Sequence, residues 1–192
     1  MNTHKPCVGF ALCGSFCTFS QVTPQIQALL DQGYDVIPIM SPAAYNTNTR
    51  FGTAAQHVTT IEKMTGHSVL HTIDQVEPIG PKKLLDVLVV APCTGNTLGK
   101  LAAGIYDTPV TLSVKSHLRN ARPVVLAIST NDGLSGSAKN IGALQNMKHM
   151  YFVPYSQDDP EKKPMSLVAH MSKISQTVEL ALRGQQIQPI LA

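Results

Sequence analysis

The sequence predicts a three-layer α/β sandwich, in which helices cover both faces of a mainly parallel sheet. Short, wholly apolar runs such as 7–13, 86–91 and 123–128 are typical of strands buried on both faces. Segments with helical spacing of apolar residues lie between these runs. Strands separated by helices cannot form hairpins with one another, so we expect parallel strands joined by right-handed crossovers.

Each element follows from its own pattern. The first strand (7–13) ends at Gly14, and a helix over 18–32 follows it, closed by Gly33. Pro38 in the second strand (34–40) favours either the edge of the sheet or the end of the strand, because proline donates no backbone hydrogen bond. The later predicted elements are a helix closed by Gly66, a strand at 86–91, helices at 97–103 and 108–120, a strand at 123–128, a helix at 135–147, a strand at 151–154 and a helix at 166–183.

The polar segment 156–164 is interpreted as a coil, either a flexible lid or a partner contact. The alternation of the other elements is that of a flavodoxin-like, doubly wound fold. A length of 192 residues suits one domain, so we expect residues 1–192 to form a single domain.

The composition excludes several classes of function. The net charge of +3 is scattered along the chain, Trp is absent and aromatic residues make up 5%, which argues against a nucleic-acid interface. No apolar stretch reaches the roughly 18 residues of a membrane span, and no signal peptide is visible, so we expect a cytoplasmic protein. The four cysteines are interpreted as buried free thiols, and the seven histidines lack metal-pair spacing, so no metal site is predicted.

The residues that follow the strands are the candidate ligand-binding residues, because ligands bind beyond the carboxyl ends of parallel strands. Gly14, Ser15 and Phe16 come after the first strand and before a helix N-terminus, which suits an anion. A plain turn with a capping serine explains these residues equally well. Ser41 adds a second hydroxyl after the second strand, and the two hydroxyls together favour a mononucleotide phosphate.

Two further strand ends carry small and amide-bearing residues. The third long strand is followed by PCTGNT (92–97) and then by GIYD (104–107), whose small and amide-bearing residues leave room for a flat ring against the backbone. Asn96 either caps the helix that follows or bonds the polar edge of such a ring. Asn131 and Asp132 follow the next strand, where they either face a ligand or form an Asx turn.

Together these segments resemble the homo-oligomeric flavin-containing Cys decarboxylase superfamily, whose members have a Gly-Ser loop, a P-A-S-A-N-T motif followed by G-I-x-D, and a P-x-M-N motif. The resemblance covers about residues 7–155, and Asn131 is what remains of the third motif. It implies FMN as cofactor and an assembly based on trimers. It also implies that the phosphate side is held by Gly14, Ser15, Phe16 and Ser41, that Thr94 and Asn96 meet the isoalloxazine ring, and that Asn131 faces the substrate.

A narrower resemblance, over residues 8–189, is to a branch of this superfamily from endospore formers. NTNTRFG (46–52) and QDDPEKKP (157–164) carry it, and the decarboxylases lack both. It implies that the chain is the B subunit of an oxidoreductase that converts dihydrodipicolinate to dipicolinate (pyridine-2,6-dicarboxylate) during spore formation. The partner, the A subunit of the same enzyme, would carry an NAD(P) site. Arg50 is the candidate for binding a substrate carboxylate, because a guanidinium binds carboxylates in bidentate fashion; a solvated loop arginine is the equal alternative.

Two other functions stay open at this point. PCTGNT also suits an FMN-dependent decarboxylase or prenyltransferase. However, decarboxylating members place a histidine at the position of Pro78, which cannot transfer a proton, and the methionine of their third motif is Thr130 here. The second alternative is a non-catalytic partner of the A subunit, because no acid–base pair is evident and the general base is unassigned.

Overall fold

The computed structural model describes residues 5–192. Within them the strands are β1 (Cys7–Leu12), β2 (Asp35–Met40), β3 (Val87–Cys93), β4 (Val124–Thr130), β5 (Met150–Phe152), β6 (Tyr155–Asp159) and β7 (Lys163–Ala169). The helices are α1 (Phe19–Asp31), α2 (Pro42–Asn46), α3 (Ala54–Thr65), α4 (Ile73–Val76), α5 (Gly95–Ala102), α6 (Pro109–Leu118), α7 (Ala138–Gln145) and α8 (Ile174–Leu182).

Five parallel strands form the main part of the sheet, in the order β2-β1-β3-β4-β5. Every residue of β1 and β3 is buried, as their continuous apolar runs predict. Helices α1 and α8 pack together over one face, and α6 covers the other with α4 and α5 beside it. The predicted flavodoxin-like α/β class is confirmed, and Pro38 lies in β2 at the edge of the sheet, as expected.

The prediction for residues 155–169 is wrong. This segment is a β-hairpin of β6 and β7 rather than a polar coil followed by the start of a helix, and α8 begins only at Ile174. The carboxylate of Asp159 accepts hydrogen bonds from the N–H groups of Glu161 (3.2 Å) and Lys162 (3.0 Å), which closes the turn. β7 pairs antiparallel with the end of β4, so the sheet is mixed.

Strand β4 therefore has two different partners on the same side. Its first half (124–126) pairs with β5, and its last two residues, Ser129 and Thr130, pair with β7. This fork brings the hairpin over the carboxyl end of the parallel strands, where ligands are expected. None of the helices within residues 5–192 has the length and apolar character that crossing a membrane requires.

Candidate functional site

A cleft of about 910 Å³ opens at the carboxyl ends of β1, β3 and β4. Its walls come from the loops after these three strands, from a turn before α3 and from the hairpin β6–β7. The lining residues are Gly14, Ser15, Phe16, Cys17, Thr18, Gln21, Thr49, Arg50, Phe51, Thr94, Gly95, Asn96, Ser129, Thr130, Asn131, Asp132, Asp158, Lys163, Ser166, Leu167 and Val168. The volume is within the range of small-molecule sites.

The loop after β1 crosses the end of β3 and contacts β4. The hydroxyl oxygens of Ser15 and Ser129 are 2.8 Å apart, although 114 positions separate them. The Thr18 hydroxyl donates to the Ser15 carbonyl (2.7 Å), which fixes the turn that leads into α1. Among the described residues, the backbone N–H groups of Phe16 and Cys17 donate no hydrogen bond. These free donors at the start of a helix suit a bound anion.

Helix α2 supports this loop from behind. An added side-chain carbon at Gly14 would lie 3.2 Å from the Cβ of Ala43, so glycine allows the loop to pack closely on α2. The Ser41 hydroxyl accepts a hydrogen bond from the N–H of Ala44 (3.2 Å) and caps this helix. Ser41 is buried and does not line the cleft, in contrast to the other five predicted cofactor residues.

The loop after β3 approaches the end of β4 very closely. Thr94 and Asn96, the candidate ring-binding residues, line the cleft, and Gly95 begins α5 between them. A side-chain carbon at Gly95 would lie within 2.8 Å of oxygen atoms of Thr130, Asp132 and Ser137. Glycine at this position therefore leaves the space that the two neighbouring loops share.

Asp132 is an ionised carboxylate in the wall of the cleft. The hydrogen bond from the Thr130 hydroxyl to its carboxylate, together with one from Ser137, lowers the pKa of Asp132 below its usual value. Asn131, the candidate substrate-facing residue, is exposed beside it and lines the cleft. The wall at the end of β4 is thus polar, with an amide and a carboxylate side by side.

Arg50 and Phe51 form the tip of a tight turn. Thr49 and Gly52 exchange two backbone hydrogen bonds of 3.0 and 3.2 Å, and the Phe51 N–H donates to the Thr49 hydroxyl (3.1 Å). The Arg50 guanidinium lies 4.9 Å from the centroid of the Phe51 ring, a cation–π geometry. Within residues 5–192, Arg50 forms no ion pair with a carboxylate. The guanidinium is therefore free to bind an anion in the cleft.

The prediction missed two parts of the site. The hairpin contributes Asp158 of β6 and four residues of β7, Lys163 among them, all in the segment mistaken for coil and helix. The Asp159-Pro160 pair is a turn signal that favours a hairpin here, since Asp and Pro are preferred at the first two positions of type I turns. The thiol of Cys17 is exposed and lines the cleft, contrary to the expectation that all four cysteines are buried.

Comparisons with known proteins agree with this architecture. The flavoprotein family profile matches residues 1–183, and the chain belongs to this family. Among individual relatives, the chain is 48% identical to the B subunit of dipicolinate synthase from Bacillus subtilis (strain 168) over 184 residues, which are 96% of this chain and 92% of the relative. The crystal structure of the B subunit of dipicolinate synthase from Bacillus halodurans C matches with a TM-score of 0.90 and 43% identity, covering 100% of this chain and 98% of that one.

A more distant structure shows the same fold. Burkholderia xenovorans DmrB, solved in complex with FMN, matches with a TM-score of 0.70 at 16% identity, covering 94% of this chain and 97% of that one. The resemblance that the sequence motifs predicted, to flavin-containing proteins and within them to the B subunit of dipicolinate synthase, is confirmed.

Proposed function

We propose that this chain is the B subunit of a dipicolinate synthase, which holds FMN in the cleft and takes part in the oxidation of dihydrodipicolinate to dipicolinate. The observation that carries this proposal is the 48% identity to the Bacillus subtilis relative over 96% of the chain. The family membership supports the flavin, and the cleft supplies a place for it.

The residues that line the cleft fit FMN. The phosphate would be held at the loop after β1, where the N–H groups of Phe16 and Cys17 are free. Ser15 and Ser129 share one hydroxyl proton in their mutual hydrogen bond, so the second hydroxyl proton is available for a phosphate oxygen. The ring would lie near Thr94 and Asn96, whose amide can bond a polar ring edge.

The proposed reaction removes two hydrogens from a dihydropyridine ring. One leaves as a hydride, for which bound FMN supplies an acceptor, and the other leaves as a proton. The ring of the product is aromatic, so the oxidation is favourable. Asn131 and Arg50 line the same cleft and would orient the substrate, Arg50 through a bidentate contact to one carboxylate.

A second chain, the A subunit of dipicolinate synthase, completes the proposed enzyme. Both relatives are named as one subunit of a larger enzyme, which points to this second chain, and we propose that it carries the NAD(P) site. The oxidised nicotinamide on the A subunit would supply the final acceptor for the two electrons removed from the substrate, and this chain would hold the flavin of the relay. We also propose that copies of the present chain assemble as trimers or as multiples of trimers.

The visible absorption spectrum tests this proposal. The purified chain is titrated with FMN, with and without the A subunit, and dihydrodipicolinate is then added. We expect the spectrum of a bound flavin, which fades on addition of the substrate as dipicolinate forms. If the chain binds no FMN either alone or with the A subunit, the result would contradict the proposal that it holds a flavin. It would favour a non-catalytic partner of the A subunit.

A matched pair of variants locates the phosphate. Ser15→Asp places a negative charge in the cleft and is expected to weaken FMN binding by about tenfold or more, because like charges repel at short range. Ser20→Asp puts the same charge on the exposed side of the first turn of α1, outside the lining of the cleft, and should change the affinity by less than about twofold. Equal affinities of the two variants would contradict the phosphate position.

A further inference from the structure

We propose that Lys163 is the second carboxylate-binding cation of the cleft and that, with Arg50, it selects a dicarboxylate over a monocarboxylate. This inference rests on the proposed function, because it specifies how that substrate is recognised. The sequence did not indicate it, since Lys163 reaches the cleft only through the hairpin β6–β7.

The hairpin fixes where Lys163 lies. It is the first residue of β7 and pairs in register with Asp159 of β6. Its ammonium group is 2.5 Å from the carboxylate of Asp158, and both residues line the cleft. The hydrogen bond and charge of Asp158 raise the pKa of Lys163. The ammonium is therefore charged, and it belongs to a residue of the cleft wall.

The cleft offers a cation to each carboxylate of a dianion only if Lys163 takes part. Four charged side chains line it, namely Arg50, Asp132, Asp158 and Lys163. Asp132 is engaged by Thr130, and Asp158 by Lys163. Arg50 alone can bind one carboxylate of the substrate, which leaves the second carboxylate near two acidic residues and without a cation.

Lys163 can meet the second carboxylate by exchanging partners. The side chain of Lys163 is 56% exposed and that of Asp158 is 37% exposed, so their ion pair forms in a solvated setting and contributes little to stability. A substrate carboxylate can replace Asp158 as the partner of Lys163 at little cost, since one carboxylate is exchanged for another. Asp158 would then hold the ammonium in place before the substrate arrives.

The test compares two ligands on the full-length, FMN-loaded chain, alone and in complex with the A subunit. Affinities for pyridine-2,6-dicarboxylate and pyridine-2-carboxylate are measured by calorimetry for the wild type, Lys163→Met, Lys163→Arg and Lys162→Met. Lys162 is the control because it is the adjacent lysine of the same turn and lies outside the lining of the cleft. The flavin spectrum of each variant verifies that FMN is retained.

We expect Lys163→Met to weaken dicarboxylate binding by about tenfold or more and monocarboxylate binding by less than about twofold. Lys163→Arg should retain most of the affinity, and Lys162→Met should behave as the wild type. Unchanged dicarboxylate binding in Lys163→Met, or an equal loss for both ligands, would overturn the inference and leave the proposed function standing. A wild-type chain that binds neither ligand in either setting would overturn both.

Discussion

Replacing Gly95 by alanine tests whether the close approach of two loops builds the wall of the cleft. The new methyl carbon would lie 2.6 Å from the Thr130 hydroxyl oxygen, 2.7 Å from a carboxylate oxygen of Asp132 and 2.8 Å from the Ser137 hydroxyl oxygen. All three distances are well inside the roughly 3.5 Å of a favourable contact. Gly95 has no positive φ, so the substitution adds crowding without backbone strain.

The expected loss of stability in Gly95→Ala follows from the side chains that must move. The three oxygen atoms belong to short side chains that hydrogen-bond to one another, so relieving the clash breaks the bond from Thr130 to Asp132. Overpacking and the loss of a hydrogen bond to a charged group each cost about 1–3 kcal/mol. Because Asp132 is half-buried, we expect a net loss of about 2 kcal/mol, which lowers Tm by roughly 4–8 °C in a domain of this size.

The assay pairs thermal unfolding with FMN titration, and Gly142→Ala is the control. Gly142 lies inside α7 with nothing within 4 Å of an added carbon, so this variant should gain about 0.5–1 kcal/mol from helix propensity. Gly95→Ala should also weaken FMN binding by about tenfold, because Thr94 and Asn96 flank it. A Gly95→Ala protein that melts at or above the wild-type Tm and binds FMN equally well would refute this account of the wall.

Two further predictions concern a buried histidine and the Arg50 turn. Burial lowers the pKa of His117 from 6.5 to about 4, so the unfolded chain binds the proton more readily; stability should fall by up to about 3 kcal/mol from pH 6.5 towards pH 4. Urea unfolding at several pH values should show that the stability of His117→Gln depends less on pH than that of the wild type. The same pH dependence in both proteins would contradict the assignment of this effect to His117. Gly52→Ala should cost about 1–3 kcal/mol, because φ is +136° and the added carbon would lie 2.8 Å from Nε2 of His57. It should also weaken dicarboxylate binding, because Gly52 closes the turn that carries Arg50. Gly66→Ala, with a positive φ but open space, is the control in the same calorimetric measurement, and equal losses of stability in both variants would contradict a cost from the clash with His57.

The sequence by itself determined the parallel core and which strand ends meet at the cleft. Strands buried on both faces are apolar throughout, so β1, β3 and β4 are visible in the local composition. Parallel strands place their carboxyl ends at one edge, so the residues that follow them converge. Ser15, Thr94 and Asn131 come together for this reason, without any knowledge of side-chain contacts.

The tertiary structure decided what depends on contacts between distant residues. The segment 166–169 continues the helical spacing of α8 in sequence, yet it forms a strand because the end of β4 offers it unpaired backbone groups. The hydrogen bond between Ser15 and Ser129 likewise joins residues that are far apart in the sequence. The same holds for the close approach of Gly95 to the residues that follow β4. Lys163 reaches the cleft because β7 pairs with β6 and with the end of β4, which places the hairpin over the cleft.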